Sequence, residues 1–510
     1  MSRRLRPAAH RRWIEHVAPF VASLAWSIAG AAASHAQENA VAWEPFTVRG
    51  YDGRAHDVEI GRLAVPESRT RSGGTSTTIG FYRLRSTNPA PASPIVFLMG
   101  GPGIAASLIA PIPPYWDLFD SLRVTADVIL LDQRGLELST PHVDCPPLSE
   151  GPDSGFLLSR AAFVRAYGKV VAACTAHYRT RGVDPAAFTD AAIADDVDDI
   201  RRALHAERVS LLGFSYGTRL AMTYARRHPD RVDRMVLQGP TDEQLMYRSS
   251  VGHDSLFVRI TAAAAAVTVT AGFSAHLVAR TRALFAKAER TPIRVRIASV
   301  RGDSLTIAVG REALQGLVTG HIADPRIPAL IQTLENNDVA ILARWVESIY
   351  NDFANGAGSL MARAAVCSQR PTTARVQAID HEASQSMFGP AFDNFTLGET
   401  FCSALGTPTP APTPHLAARL DRPALIVVGT LDDRTFPSNA AELSRELVNP
   451  TTLIVENGGH ELLPVRAVAL AVADFFAGRD VHGRVIRVDV PRFLSVESAK
   501  QPPRRPGRVN

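Results

Sequence analysis

Five residues, Gly213-Phe214-Ser215-Tyr216-Gly217, constrain the fold of this chain more than any other stretch. A short apolar run, Val209 to Leu212, precedes them. A stretch with Leu220, Ala221, Tyr224 and Ala225 at helical spacing, Thr218 to Arg227, comes after them. A strand that runs straight into a helix leaves space for only a very tight turn. Side chains two positions before and two after the Ser would collide with the flanking strand and helix, and glycine at both places removes the collision. The Ser then stands exposed at the C-terminal edge of its strand, above the first turn of a helix. Such a turn belongs in a layered structure, so the surrounding sequence should alternate strand with helix.

It does. Pro94 to Met99 and Asp127 to Leu131 are compact apolar runs of the kind that form buried parallel strands. Ala192 to Ala206 places Ile193, Val197, Ile200 and Leu204 on one helical face, and Met235 to Gln238 reads as another strand. Upstream, His56 to Val65 and Thr77 to Arg85 are β-rich. The alternation stops after about Gly239. The next segment has Ala-rich helical stretches, Thr261 to Val267 and Ala275 to Ala288. It also has a hairpin, Ile293 to Ile297 with Leu305 to Val309, and a Thr/Pro linker, Thr407 to Pro414. Strand-like Ala424 to Val428 and Thr452 to Val455, then helical Val465 to Phe476, resume the pattern. The expected organisation is an α/β core in two parts, 37–242 and 416–478, split by a large, mainly helical cap insertion at 243–415. Residues 479–510 form a Pro-rich C-terminal tail expected to be disordered.

The N-terminus reads as an export signal. Arg3, Arg4, Arg6, Arg11 and Arg12 precede an apolar run from Val17 to Ala33, and Ser34-His35-Ala36 offers small residues for cleavage after Ala36. Residues 1–36 are therefore expected to be a signal peptide, and the protein to be periplasmic or extracellular. No other stretch reaches the roughly 18–20 apolar residues of a membrane span. The formal charge of +5 resides mostly in this segment, whose five Arg and one Glu give +4 and leave +1 for the rest. A nearly neutral body with a short basic tail (Lys500, Arg504, Arg505, Arg508) argues against a nucleic-acid partner. Four cysteines in an exported chain favour two disulfides. The sequence neighbours, Cys145 with Cys174 and Cys367 with Cys402, are the favoured pairs. None has the spacing of a metal site, and no cofactor is implied.

A Ser hydroxyl needs a base to act as a nucleophile. His460, in Glu456-Asn457-Gly458-Gly459-His460, sits just after a strand, where a tight loop can present an imidazole. An acid to orient it should come after the preceding strand, in Gly429-Thr430-Leu431-Asp432-Asp433, where both Asp432 and Asp433 qualify. An oxyanion requires backbone donors. The N–H of Tyr216, next to the Ser, is one. Gly101, in Gly100-Gly101-Pro102-Gly103, is the other.

At these residues the chain resembles the proline iminopeptidase and tripeptidyl aminopeptidase group of α/β-hydrolases, secreted type. The likeness rests on G-G-P-G at 100–103, D-Q-R-G at 132–135, G-F-S-Y-G-T-R-L at 213–220, Y-A-R-R-H-P-D-R-V at 224–232, G-T-L-D at 429–432 and G-G-H at 458–460. It implies the α/β-hydrolase fold and acyl transfer through Ser215, and it selects Asp432 as the acid. It also implies release of residues or short peptides from peptide N-termini. A carboxylesterase acting on small esters through the same three residues is the alternative. The chain departs from the group at Met99, where a His is usual, at Leu136 to Ser139, and at Ser368-Gln369 after Cys367. Carboxylates for a substrate amine are not placed by the motifs. Asp242 and Glu243 are candidates, though a surface turn is the plainer expectation for them.

Overall fold

The chain folds around strands that are buried on both faces. All residues of β4 (Ile95–Leu98), β5 (Val128–Asp132), β6 (Val209–Phe214) and β10 (Ala424–Gly429) are buried. Strands this uniformly apolar need cover above and below. The computed structural model describes residues 40–69, 75–148, 150–391, 394, 402–407 and 419–501. The expected signal segment, most of the Thr/Pro linker and the basic end after Gln501 lie outside the described residues.

Six further strands complete a ten-stranded sheet: β1 (Ala42–Arg49), β2 (Ala55–Pro66), β3 (Ser76–Leu84), β7 (Val232–Gln238), β11 (Thr451–Glu456) and β12 (Val485–Arg487). Its order is β1-β2-β3-β5-β4-β6-β7-β10-β11-β12. The first three strands and β5 pair antiparallel, and β5 through β12 run parallel. Alternate residues feed two cores. Val96, Leu98, Ile129, Leu211, Leu237 and Ile426 pack under the helices Asp190–Ala203 and Tyr216–Arg227. Phe97, Leu130, Leu212, Val236 and Val427 pack under Pro113–Leu122 and Arg466–Phe476. The parallel strands all point the same way, so the loops after β4, β6, β7, β10 and β11 gather at one edge, where ligands of open α/β sheets bind.

Between β7 and β10 the chain leaves the sheet. It forms helices, among them Ser250–Ala266, Leu277–Arg290, Arg311–Thr319, Ala340–Ala354 and Leu360–Cys367. It also forms a hairpin of β8 (Ile293–Ala298) and β9 (Ser304–Val309), paired as expected. A third apolar cluster holds this segment together, and Phe156, Leu157 and Phe163 from before β6 join it. The disulfides are Cys145–Cys174 and Cys367–Cys402, the pairs of sequence neighbours.

The C-terminal segment departs from expectation. Its composition implies disorder from residue 479, yet β12 pairs with β11, and Val496–Lys500 is a helix. The cause is apolar content hidden among the prolines: Phe493 and Ala499 are buried in the inserted segment's cluster. Leu494 N–H donates to the Pro325 carbonyl at 3.1 Å, and Lys500 pairs with Asp338 at 2.6 Å.

Candidate active site

Ser215 follows β6 in a strained conformation. Its φ of 54° and ψ of −122° lie where a residue with a Cβ is rarely found. Only close packing keeps it there. A Cβ on Gly217 would lie 1.8 Å from the Leu98 carbonyl oxygen, so this position admits glycine alone. The helix therefore starts at Tyr216, two residues before the apolar spacing suggests. As its first residue, Tyr216 has a backbone N–H with no acceptor inside the helix.

His460 and Asp432 meet next to Phe214, the residue before Ser215. The imidazole Nδ1 lies 3.0 Å from both Asp432 oxygens, and the carboxylate is fully buried. Asp432 also accepts the N–H groups of Arg434 and Thr435 and the Thr435 hydroxyl, each at 2.8 Å. Four donors occupy one carboxylate and fix its direction. Because a carboxylate of this kind only accepts, the imidazole proton belongs on Nδ1, leaving Nε2 as the basic nitrogen. The two loops are tied together, since Leu431 N–H donates to Gly458 O at 2.8 Å and Asn457 N–H to Thr430 Oγ1 at 2.9 Å. Asp433 turns the other way and accepts the N–H of Ala323 in the inserted segment at 3.3 Å.

One residue links the Ser and His loops, and the motifs do not reveal it. Gln238, at the end of β7, accepts the Ser215 N–H on its backbone oxygen at 2.8 Å. Its side-chain amide donates to the His460 carbonyl at 2.9 Å. The Phe214 ring completes the contact, 5.1 Å from the imidazole between centroids. The available signal is one polar residue ending the apolar run Met235-Val236-Leu237.

The loop after β4 approaches from the opposite side. A Cβ on Gly100 would be 2.9 Å from the Ser215 Cβ, so the backbone runs directly against the Ser. Gly101 is next, at φ 116°. The Asp132-Gln133-Arg134 run braces this loop. Gln133 donates to Met99 O at 2.9 Å, and Asp132 accepts from the N–H and hydroxyl of Ser107 at 2.9 and 2.6 Å. Arg134 reaches Asp196 with two bonds, at 2.8 and 2.6 Å. Burial pushes the Asp132 carboxyl up to about 6.

Asp242 and Glu243 are neither a surface turn nor free to meet a ligand. Both are buried, and Arg226 bridges Glu243 at 2.9 Å and Glu446 at 2.6 Å. The partners lie far apart in sequence, which hides the cluster from a local reading. Burial, and then the charge of Glu243, pushes the Asp242 carboxyl up to about 6. A folded value above the unfolded one means that the native state holds a proton the unfolded chain has already lost. The group's stability contribution is thus full below about pH 4 and lost as pH rises through about 6. Asp242→Asn keeps the oxygen that accepts the Gln244 and Leu245 N–H groups and removes the charge. We expect this variant to gain on the wild type by on the order of 2–3 kcal/mol between pH 4 and pH 7.5. Urea midpoints at the two pH values test this, and an equal offset at both would refute it.

A cavity of about 620 Å³ lies in the inserted segment, lined by Phe163, Tyr167, Trp345, Ile349 and Phe353. Asp352 and Arg434 are its charged side chains. Arg434 lies two residues beyond Asp432. Gly358, also in the lining, precedes Ser359, whose hydroxyl would be 3.4 Å from a Cβ on Gly103.

Comparison with known proteins bears on the fold. A family model described as the alpha/beta hydrolase fold matches residues 93–467. A serine protease of Mycobacterium tuberculosis is 28% identical over 197 residues, 36% of each chain. A probable proline iminopeptidase of Leptolyngbya boryana is 28% identical over 158 residues, 31% of this chain and 34% of that one. A tripeptidyl aminopeptidase of Streptomyces coelicolor is 24% identical over 209 residues, 39% of each. The chain thus spans between a third and two fifths of the length of these relatives.

Proposed function

The chain belongs to the alpha/beta hydrolase fold family, and from that premise we propose that it is an exported serine aminopeptidase that releases residues or short peptides from peptide N-termini. The observation that carries this reading is the Asp432–His460 pair next to Phe214, the residue before the strained Ser215. His460 Nε2 takes the Ser215 proton as Oγ attacks the scissile carbonyl. Asp432 holds the Nδ1 proton and stabilises the imidazolium without taking that proton. The N–H groups of Gly101 and Tyr216 receive the oxyanion. His460 then protonates the leaving amine, and water hydrolyses the acyl-enzyme by the same route in reverse.

The names of these three relatives, a serine protease, a proline iminopeptidase and a tripeptidyl aminopeptidase, support peptide over ester. The two disulfides support export. Among the described residues no single helix is long and apolar enough to cross a membrane. The inserted segment serves as a cap, and its cavity takes the N-terminal part of the substrate. There Asp352 faces the free ammonium among aromatic walls.

Aminoacyl- and tripeptidyl-arylamides, free and N-acetylated, test this beside short-chain aryl esters. The proposal expects turnover of free but not acetylated amides. Asp352→Asn should raise KM for the free amides about tenfold or more, and change ester hydrolysis less than twofold. Ester turnover without amide turnover would instead make the enzyme a carboxylesterase.

A further inference from the structure

Beneath the site lies a group of charges that the hydrolytic mechanism does not use. Asp190, the first residue of the helix Asp190–Ala203, and Arg219, in the helix Tyr216–Arg227, are both wholly buried. Arg219 Nε donates to Asp190 Oδ2 at 2.5 Å, and the Tyr216 hydroxyl donates to Asp190 Oδ1 at 2.5 Å. Arg219 also donates to Ala365 O at 3.0 Å, two residues from the Cys367–Cys402 bridge. The Asp190 N–H reaches the Ser368 hydroxyl at 3.2 Å. Three elements therefore meet at the Asp190–Arg219 pair, and two donors from one helix, Tyr216 and Arg219, hold the carboxylate.

A buried ion pair is a costly way to fill a core. Removing two charges from water takes more than apolar packing of the same volume would. Burial raises the Asp190 carboxyl even with Arg219 beside it. One use of such an arrangement is to fix a geometry. Here the fixed residue is Tyr216. Its backbone N–H opens the helix beside Ser215, and its side chain, 2% exposed, runs into the interior and ends on Asp190. A residue held at its far end cannot rotate its backbone N–H freely.

We propose that Asp190 is a positioning residue for the oxyanion: through the Tyr216 hydroxyl, and itself clamped by Arg219, it sets the direction of the Tyr216 N–H. This inference rests on the reading of Ser215 as nucleophile and adds to it a residue that touches neither substrate nor the reacting atoms.

Tyr216→Phe isolates the claim, because it keeps the ring and the Asp190–Arg219 pair and deletes one hydroxyl. The purified protein is titrated with an aryl fluorophosphonate, whose P=O group must enter the same donors, so that rates refer to competent sites only. The expected result is about a tenfold fall in kcat per labelled site, with KM within twofold and a parallel fall in the phosphonylation rate. The double variant Asp190→Asn with Arg219→Gln, which removes both charges and roughly keeps their shape, should give the same pattern. A kcat per labelled site within twofold of wild type in Tyr216→Phe overturns the proposal. So does a fall in labelled fraction or unfolding midpoint alone, since that is what a merely structural role would produce. Failure of the wild type to take label at Ser215 would be a separate result, striking the nucleophile assignment itself and this inference with it.

Discussion

Ser215→Ala is expected to lower kcat on both amide and ester substrates by about 10⁴-fold or more, with little change in KM. No other hydroxyl can take over, because the position is defined by the backbone. The φ of 54° at the end of β6 aims this one side chain out of the turn. Neighbouring Phe214 and Tyr216 are buried, each committed elsewhere, one against the His460 ring and one on Asp190. Alanine removes a single oxygen and leaves Gly213 and Gly217 in place, so the fold should survive. Thermal unfolding should move by only a few degrees. The measurement is kcat and KM on matched amide and ester series. Retention of more than about 1% of the wild-type rate would remove Ser215 from the chemistry.

The second large effect separates two adjacent carboxylates. Asp432→Asn should lower kcat by about 10³- to 10⁴-fold, whereas Asp433→Asn should stay within about threefold. Asp432 is the acceptor for Nδ1 of His460 and for two backbone N–H groups. An amide there must present its NH₂ to one of these donors, and it then favours the wrong imidazole tautomer or disrupts the loop. Among the described residues Asp433 meets Ala323 N–H and, at 3.8 Å, Arg434. Comparable losses in the two variants would mean that both carboxylates serve the imidazole, contrary to the observed directions. Circular dichroism of each variant separates a lost fold from lost chemistry.

Much of this site can be read in advance because its parts are local. A tight turn between strand and helix imposes glycines at fixed offsets, so Ser215 announces itself. His460 and Asp432 each come within a few residues of a strand's end. The resemblance, not the spacing, chooses between Asp432 and Asp433, and only the directions of their side chains give the physical reason. The hidden parts depend on partners far along the chain. Gln238 matters because β7 ends between two loops that come from β6 and β11. Asp190 and Arg219 look like ordinary polar positions on amphipathic helices, and their burial comes from a third element, Leu360–Cys367, packing over them. Asp242 and Glu243 read as a turn because the cluster that buries them is non-local: Arg226 is 17 positions from Glu243, and Glu446 is 220 from Arg226. The C-terminal segment misleads through composition: prolines obscure two apolar anchors.

That same segment stitches the molecule across its seam. It borrows a hydrogen-bonding edge from β11 and then lays Phe493 and Ala499 into the helices inserted after β7, with Arg344 donating to the carbonyls of Ala499 and Lys500. The chain near Lys500 is thus fastened to the inserted helices Ile327–Glu335 and Ala340–Ala354. A suture of this kind makes the two parts share mechanical load, so a swing of the inserted helices away from the sheet must first unpick it. For the engineer, the segment up to Lys500 is therefore a working part of the fold, and affinity tags or fusions belong beyond Gln501.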